Sequence, residues 1–256
     1  MFSRAIIRPP GTNYADGLTR VALGAPDYES ALRQHAAYCE ALERCGLELT
    51  HLEANERYPD STFVEDTAVL IPAGAILTRP GAASRIGEVE SIKEMLSRLC
   101  PRIASIQEPG TVDGGDICEA GNHFFIGLSE RTNETGGGQL AELLASYGYT
   151  SSIVDIRNVK DILHLKSGLA YLGDNRLVVI EALANRQEFR GYELVSMNAE
   201  EEYAANCVRV NDYLLIAAGY PMFERTLHGS GYKTIALEMT EFQKMDGGLS
   251  CLSLKF

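Results

Sequence analysis

Cys251 ends the run Asp246-Gly247-Gly248-Leu249-Ser250-Cys251, in which two glycines let the backbone turn sharply and approach a ligand closely. The following segment, Leu252 to Phe256, reads as a buried strand, so the thiol is expected at a loop-to-strand junction. That position suits a nucleophile, because the strand fixes it and the loop opens to substrate. The competing reading is a small buried hydrophobe, which most free cysteines are. His164, in Ile162-Leu163-His164-Leu165-Lys166, is polar in an apolar setting just before a predicted strand. Its imidazole can shuttle protons near neutral pH, or it can be a core histidine satisfied by a backbone bond. Asp113-Gly114-Gly115-Asp116 sets two carboxylates around a flexible pair. An acid there can orient a histidine as the third member of a nucleophile, base and orienter set; the alternative is a polar turn.

A second group of residues points to a cation. Asp60, Glu65 and Asp66 put three acids within seven residues of Pro59-Asp60-Ser61-Thr62-Phe63-Val64-Glu65-Asp66-Thr67, entering an apolar strand. Acids heading into an apolar strand are costly unless paired. A planar guanidinium would offset that cost through paired, charge-assisted hydrogen bonds. Adjacent strand residues point to opposite faces, so Glu65 and Asp66 reach one pocket only if the strand bends. Asp60 and Asp66 are therefore expected to contact the cation most directly. A metal site and a solvated strand edge are the competing readings. Arg85 and Arg131 each stand at the start of a predicted helix soon after a hairpin, and arginine suits bidentate binding of a carboxylate.

The elements that must hold these residues repeat along the chain. Apolar residues at three- and four-residue spacing predict helices over Tyr28 to Cys45, Arg85 to Leu99, Asn133 to Tyr147 and Pro221 to His228. Hairpins are predicted around Pro72-Ala73-Gly74, Ala120-Gly121-Asn122, Gly173-Asp174-Asn175 and Asn211-Asp212, with the first strand of the first hairpin running Phe63 to Leu70. They recur roughly every 40 to 55 residues, a spacing that suggests internal repeats. A fifth hairpin can be assembled from both ends, pairing Ser3 to Arg8 with Cys251 to Phe256, and a ring closed in this way would hide its sheet edges. The plainer alternative is an α/β domain with one mixed sheet.

Composition narrows the function classes. The chain has 256 residues, with 35 Asp+Glu against 23 Lys+Arg and a formal charge of −12. Nucleic-acid binding needs a basic footprint, which this balance denies, whereas the same field attracts a small cationic ligand. No run of about 20 apolar residues is present, so no membrane-spanning helix is expected. No secretory signal is evident and no C-x-x-C occurs, so the six cysteines are expected to be reduced thiols of a cytoplasmic protein. No linker-like stretch interrupts the sequence, and 1–256 is read as one domain.

Taken together, the segments Asp16-Gly17-Leu18-Thr19, Pro59 to Asp66, Thr78-Arg79-Pro80-Gly81, Asp113 to Asp116, Arg131-Thr132-Asn133, Leu163 to Ser167, Ala204-Ala205-Asn206-Cys207 and the Cys251 run are far more specific than any one alone. In order and spacing the chain resembles the dimethylarginine dimethylaminohydrolase family, in its bacterial form, over nearly its whole length. The resemblance implies a pentein fold, a five-bladed α/β propeller of ββαβ-type repeats around a central channel. It implies Cys251 as nucleophile, His164 as proton shuttle and Asp113 as its orienter. Some bacterial members carry Glu at that last place. It further implies that Asp60, Glu65 and Asp66 surround the guanidinium, that Arg85 and Arg131 bind the substrate α-carboxylate, that Leu18 meets the α-amino group through its backbone in a mobile lid, and that Met245 supplies an aliphatic wall. The implied reaction is hydrolysis of free Nω-methylated arginines to citrulline and a methylamine, with no metal or organic cofactor, in a homodimer. The alternatives are an arginine deiminase-like activity, a pentein that only binds a partner, and a metal hydrolase using the acid cluster.

Overall fold

Tight turns at the positions where the sequence places glycine, asparagine or aspartate cut the chain into hairpins. Gly121, Asp174, Asn175 and Asn211 all adopt the left-handed region, with φ of 70°, 50°, 60° and 54°. These residue types enter that region at least cost, and it lets two short strands reverse onto each other. The computed structural model describes all 256 residues, Met1–Phe256.

In chain order, β1 (Arg4–Ile7) is followed by α1 (Tyr28–Arg44) and β2 (Glu48–His51), which runs parallel to β1. The second repeat is complete: β3 (Ala68–Ile71) and β4 (Gly74–Leu77) form an antiparallel hairpin, α2 (Val89–Leu99) crosses over, and β5 (Ile103–Ser105) returns parallel to β4. The third repeats this plan with β6 (Ile117–Ala120), β7 (His123–Leu128), α3 (Glu134–Ser146) and β8 (Thr150–Asp155). In the fourth, β9 (Leu169–Gly173), β10 (Arg176–Val179) and β11 (Glu193–Ser196) are joined by two single 3-10 turns instead of an α-helix. The fifth comprises β12 (Val208–Val210), β13 (Tyr213–Ala217), α4 (Pro221–Gly229) and β14 (Lys233–Leu237). After a short α5 (Thr240–Gln243), β15 (Ser253–Lys255) pairs antiparallel with β1 and completes the first sheet from the far end of the chain.

The result is five three-stranded sheets, each a hairpin plus one parallel strand. The first strand of each hairpin is innermost, and neighbouring sheets touch through these strands: β15 with β3, β6 with β9, β9 with β12. The innermost strands therefore line the axis, and the helices lie outside. Two expected boundaries move. The segment Phe63–Thr67 is not strand but 3-10 turn, with β3 starting only at Ala68. Pro59 starts the coil, Thr67 Oγ1 donates to Val64 O at 2.6 Å, and an Arg85 Nη2 donates to the carbonyls of Asp60 and Phe63. The helix expected from Arg85 begins at Val89, because Ala83–Glu88 is a 3-10 coil whose Arg85 side chain folds back onto Glu88.

Candidate active site

Every innermost strand is entered through a 3-10 turn. The turns are Val64–Thr67 before β3, Gly114–Asp116 before β6, Leu165–Ser167 before β9, Ala199–Ala205 before β12 and Leu249–Leu252 before β15. Four successive contacts link them, from the last turn to the first and on through the second and third to the fourth. Each turn, or the residue capping it, delivers a polar group to the centre: Asp66, Asp113, His164, Asn206 and Cys251 in blade order. A tight turn at a strand mouth aims a side chain along the axis while the strand anchors its backbone.

Cys251 and His164 line one pit, together with Leu18, Asp60, Asp66, Arg85, Arg131 and Met245. Cys251 is 9% and His164 6% exposed, so both are nearly sealed. Asp113 is fully buried; its Oδ2 lies 3.1 Å from His164 Nε2, and its Oδ1 accepts the Gly81 N–H at 2.8 Å. The imidazole lies flat over Gly115, where a Cβ would stand 2.7 Å from Nδ1, so this position must be glycine for the ring to sit there. Asp116, given no role of its own in the sequence analysis, is the brace beneath. It accepts the Leu165 N–H at 3.0 Å and the hydroxyls of Ser129 and Thr132 at 2.7 Å each. Thr132 in turn accepts the Asp113 N–H at 3.0 Å.

Asp66 Oδ1 accepts the Gly115 N–H at 2.8 Å, and its Oδ2 accepts Arg85 Nη1 at 2.6 Å. Arg85 also gives Nε and Nη2 to Glu88, and Nη2 to two carbonyls. A guanidinium has five N–H donors. Four are thus spent inside the protein and one Nη1 hydrogen is left for the pit, so a bidentate carboxylate grip by Arg85 is not available. Arg131, half-buried, makes no ion pair and keeps its fork free. Glu65 also departs from expectation. On a 3-10 turn, consecutive side chains diverge by about 120°. Asp66 enters the pit while Glu65 points to the far side, where Lys166 Nζ lies 2.5 Å from Oε1 and Ser250 Oγ donates to Oε2 at 2.8 Å. Glu65, Lys166 and Ser250 form a wall, behind which lies a second cavity of about 410 Å³.

The pit is shut on its outer side. The Leu18 N–H donates to Asp60 Oδ1 at 3.0 Å, Thr19 Oγ1 to the Lys244 carbonyl at 2.9 Å, and the Arg20 N–H to Asp246 Oδ2 at 2.5 Å. What stays open inside is about 20 Å³. That is room for about one water. Asp66, Asp113 and His164 also bring potential metal-ligand atoms within 4.8 Å of one another. All four carboxylate oxygens of that trio are already hydrogen-bonded to the protein, and His164 Nε2 is turned to Asp113. The trio is built as a braced imidazole rather than an open ligand set.

No family model matches the chain. The chain is 44% identical over 257 residues to the N(G),N(G)-dimethylarginine dimethylaminohydrolase of Pseudomonas aeruginosa, covering 100% of both. It is 34% identical to the protein of that description from Streptomyces coelicolor, covering 98% of this chain and 96% of the relative. The chain belongs to the dimethylarginine dimethylaminohydrolase family. A crystal structure of the Pseudomonas enzyme, as a cysteine-to-serine mutant complexed with citrulline, superposes with a TM-score of 0.97 at 43% identity over 100% of both chains. The N-terminal domain of a cyanobacterial arginine dihydrolase superposes with a TM-score of 0.88 at 18% identity, covering 100% of this chain and 97% of that one, and shows the fold alone. The five sheets are thus the five blades of a pentein.

In this dimethylarginine dimethylaminohydrolase family member the charges around the pit set its protonation. Burial, reinforced by Glu65 and Asp66, pushes the Cys251 thiol up to about 12. Burial would lower His164, but the carboxylates of Asp66, Asp116 and Asp113 outweigh it and raise the imidazole to about 9. Burial would raise Asp66, but Arg85 and His164 hold it down to about 2. At neutral pH the free site therefore holds a thiol and an imidazolium. The His164 shift carries a stability signature. A folded value near 9 against the ordinary 6.5 gives stabilisation that is complete below pH 6.5 and disappears as pH rises through 9. The difference corresponds to about 3 kcal/mol. Thermal melts are expected to fall over that interval in the wild type, and to fall less in His164→Asn. Equal slopes for the two proteins would show that His164 is not charged in the folded state.

Proposed function

We propose that this protein hydrolyses free Nω-methylated arginines to citrulline and a methylamine, with Cys251 as nucleophile and His164 as proton shuttle. The observation that carries the reading is the convergence of Cys251, His164 and two guanidinium-facing acids on one nearly closed pit in a chain of this family. Asp60 and Asp66 face the guanidinium. Arg131 grips the α-carboxylate with its free fork, and Arg85 adds its one remaining N–H while holding Asp66 in place. The Leu18 N–H is already given to Asp60, which leaves the Leu18 carbonyl to accept from the α-amino group. Met245, buried against Gly17, walls the aliphatic part.

The chemistry follows from the charges. A thiol raised to about 12 is a poor nucleophile, but a bound guanidinium replaces the missing positive charge beside it and favours thiolate. The thiol proton leaves to solvent, because the imidazole already carries one. The sulfur bonds to the guanidinium carbon and gives a tetrahedral adduct. The imidazolium protonates the methylated nitrogen, the C–N bond breaks, and the amine departs. A thiouronium cation stays on Cys251. Neutral His164, steadied by Asp113, then takes a proton from the attacking water. The C–S bond breaks, the proton on the new citrulline oxygen passes to the released thiolate, and citrulline leaves a thiol and an imidazolium behind. Asp113, in place of a longer Glu, holds the ring by the direct 3.1 Å contact.

Citrulline assays on arginine, monomethylarginine and asymmetric dimethylarginine test the reading. Turnover of the methylated compounds above that of arginine is expected. No citrulline from any of them would refute it, and a preference for arginine would reassign the protein to deimination. The activity is proposed for a single domain spanning 1–256, acting as a cytoplasmic homodimer as the family resemblance implies; sedimentation checks the last point.

A further inference from the structure

Four of the five turns around the axis deliver a group that the reaction uses. The fifth delivers Asn206, to which the mechanism gives no task. Its amide is nevertheless fully engaged. Oδ1 accepts the Ser250 N–H at 2.9 Å, and Nδ2 donates to the Lys166 carbonyl at 3.0 Å and to Ser250 Oγ at 3.2 Å. Ser250 precedes Cys251, and Lys166 lies in the turn that His164 caps. One buried side chain thus ties the residue before Cys251 to the turn that His164 caps, bridging the Cys251 and fourth-blade turns from the fifth blade. The pattern of a carbonyl on one side and an N–H on the other fixes which way the amide faces. The loop is seated directly on it: a Cβ at Gly248 would stand 2.5 Å from Asn206 Cγ. Gly248 itself is extended, with φ of −146°, so the glycine is required for space and not for its backbone angle.

We propose that Asn206 is a positioning residue for the hydrolysis, its amide locking the Cys251 turn to the His164 turn. This rests on the roles given above to Cys251 and His164. Asn206 has a second effect through Ser250. By donating to Ser250 Oγ it occupies a lone pair and leaves the hydroxyl hydrogen aimed at Glu65, 2.8 Å away. That hydrogen bond tempers the negative charge that Glu65 presents to the sulfur. Without Asn206 the hydroxyl keeps Glu65 as its acceptor but loses the donor that orients and polarises it, so its bond to Glu65 weakens and more of that charge bears on the thiolate.

The test compares Asn206→Ala, Asn206→Asp and Gly248→Ala with the wild type, in citrulline formation from asymmetric dimethylarginine and in the pH dependence of Cys251 alkylation by iodoacetamide. Each variant is expected to lose about 10- to 100-fold in kcat, the scale of a small misplacement of reacting groups, with KM within about twofold. The two Asn206 variants are also expected to shift the alkylation profile, with a lower rate than wild type at every pH at which the protein stays folded. Asn206→Asp is the sharp arm, since it keeps the acceptor for Ser250 N–H but sets an oxygen against the Lys166 carbonyl. Asp also adds a buried charge near the sulfur, so activity retained in it is decisive against the lock, while the loss itself is read in Asn206→Ala and Gly248→Ala. Gly248→Ala pushes the loop off the amide and covers the case in which Asn206 variants fail to fold. Wild-type kcat in Asn206→Asp or in Gly248→Ala overturns the proposal, as does a loss of kcat with no alkylation shift in the Asn206 variants. Cys251→Ser runs alongside: if it still forms citrulline, the parent assignment fails, whatever Asn206 does.

Discussion

Cys251→Ser is expected to lower kcat for citrulline formation by roughly 10⁴-fold or more, the scale seen when a covalent nucleophile is removed. A serine hydroxyl ionises far above the thiol, and the charges that already push Cys251 up to about 12 would push it further. Even a bound guanidinium then leaves almost no alkoxide. The fold should be nearly untouched, because the exchange is close to isosteric and Ser250 Oγ, 4.0 Å from the sulfur, is the polar neighbour within reach. Calorimetry should show the variant still binding asymmetric dimethylarginine, since Asp60, Asp66 and Arg131 are unaltered. Citrulline at the wild-type rate would remove Cys251 from the mechanism.

Arg85→Ala is expected to cost about 3–5 kcal/mol of stability, read from urea unfolding, because it strips the partner from buried charges. Asp66 and Glu88 are 3% and 1% exposed, and Arg85 lies 2.6 and 2.8 Å from them. The sequence analysis set both Arg85 and Arg131 on the substrate α-carboxylate; weakened substrate binding is now expected chiefly of Arg131→Ala, whose guanidinium has no internal partner to abandon. The pH dependence has a definite sign. In the wild type the Asp66 carboxylate, held near 2, contributes stability above its ordinary 3.8 that is lost as pH falls through 2. In Arg85→Ala the orphaned Asp66 gains by protonation, so the deficit should shrink between pH 7 and 4; Glu88, which burial pushes up to about 7 even beside Arg85, takes up its proton over that interval in the wild type as well. A deficit constant with pH, or under about 1 kcal/mol, would mean that the buried ion pairs are not what Arg85 supplies.

Much of the architecture could be read in advance because it is written in turn chemistry. The four hairpins fall around the residues that enter left-handed conformations cheaply, and the pairing of the two chain ends follows from apolar runs that otherwise leave open edges. The third strand of each blade was not legible. Glu48–His51 and Ile103–Ser105 are short, half-exposed and dependent on a parallel neighbour for their hydrogen bonds. The place of Glu65 was half legible: alternation already set it apart from Asp66, and only the family resemblance put it around the guanidinium, while the winding of the segment into 3-10 turn by Pro59 and the reach of Arg85 was not legible. Arg85 itself looked like a free ligand-binding arginine because its partners Asp66 and Glu88 straddle a hairpin and a coil. Cys251, His164 and Asp113 each had a plainer reading of their own, and only the combination of motifs along the whole length singled them out. Asn206 gave only a motif, since an amide announces no chemistry until its three partners are seen.

The pairing of Ala5 with Lys255 and of Ile7 with Ser253 has a consequence for timing. These partners lie at opposite extremes of the sequence, and such distant contacts form late and slowly. A chain emerging from the ribosome can stack its middle blades early. The sulfur, borne on the turn that leads into β15, takes its place only when that last seam is zipped. Catalytic competence should therefore appear as the closing event of folding, and a nascent chain that has already acquired most of its helices and sheets would still be enzymatically silent.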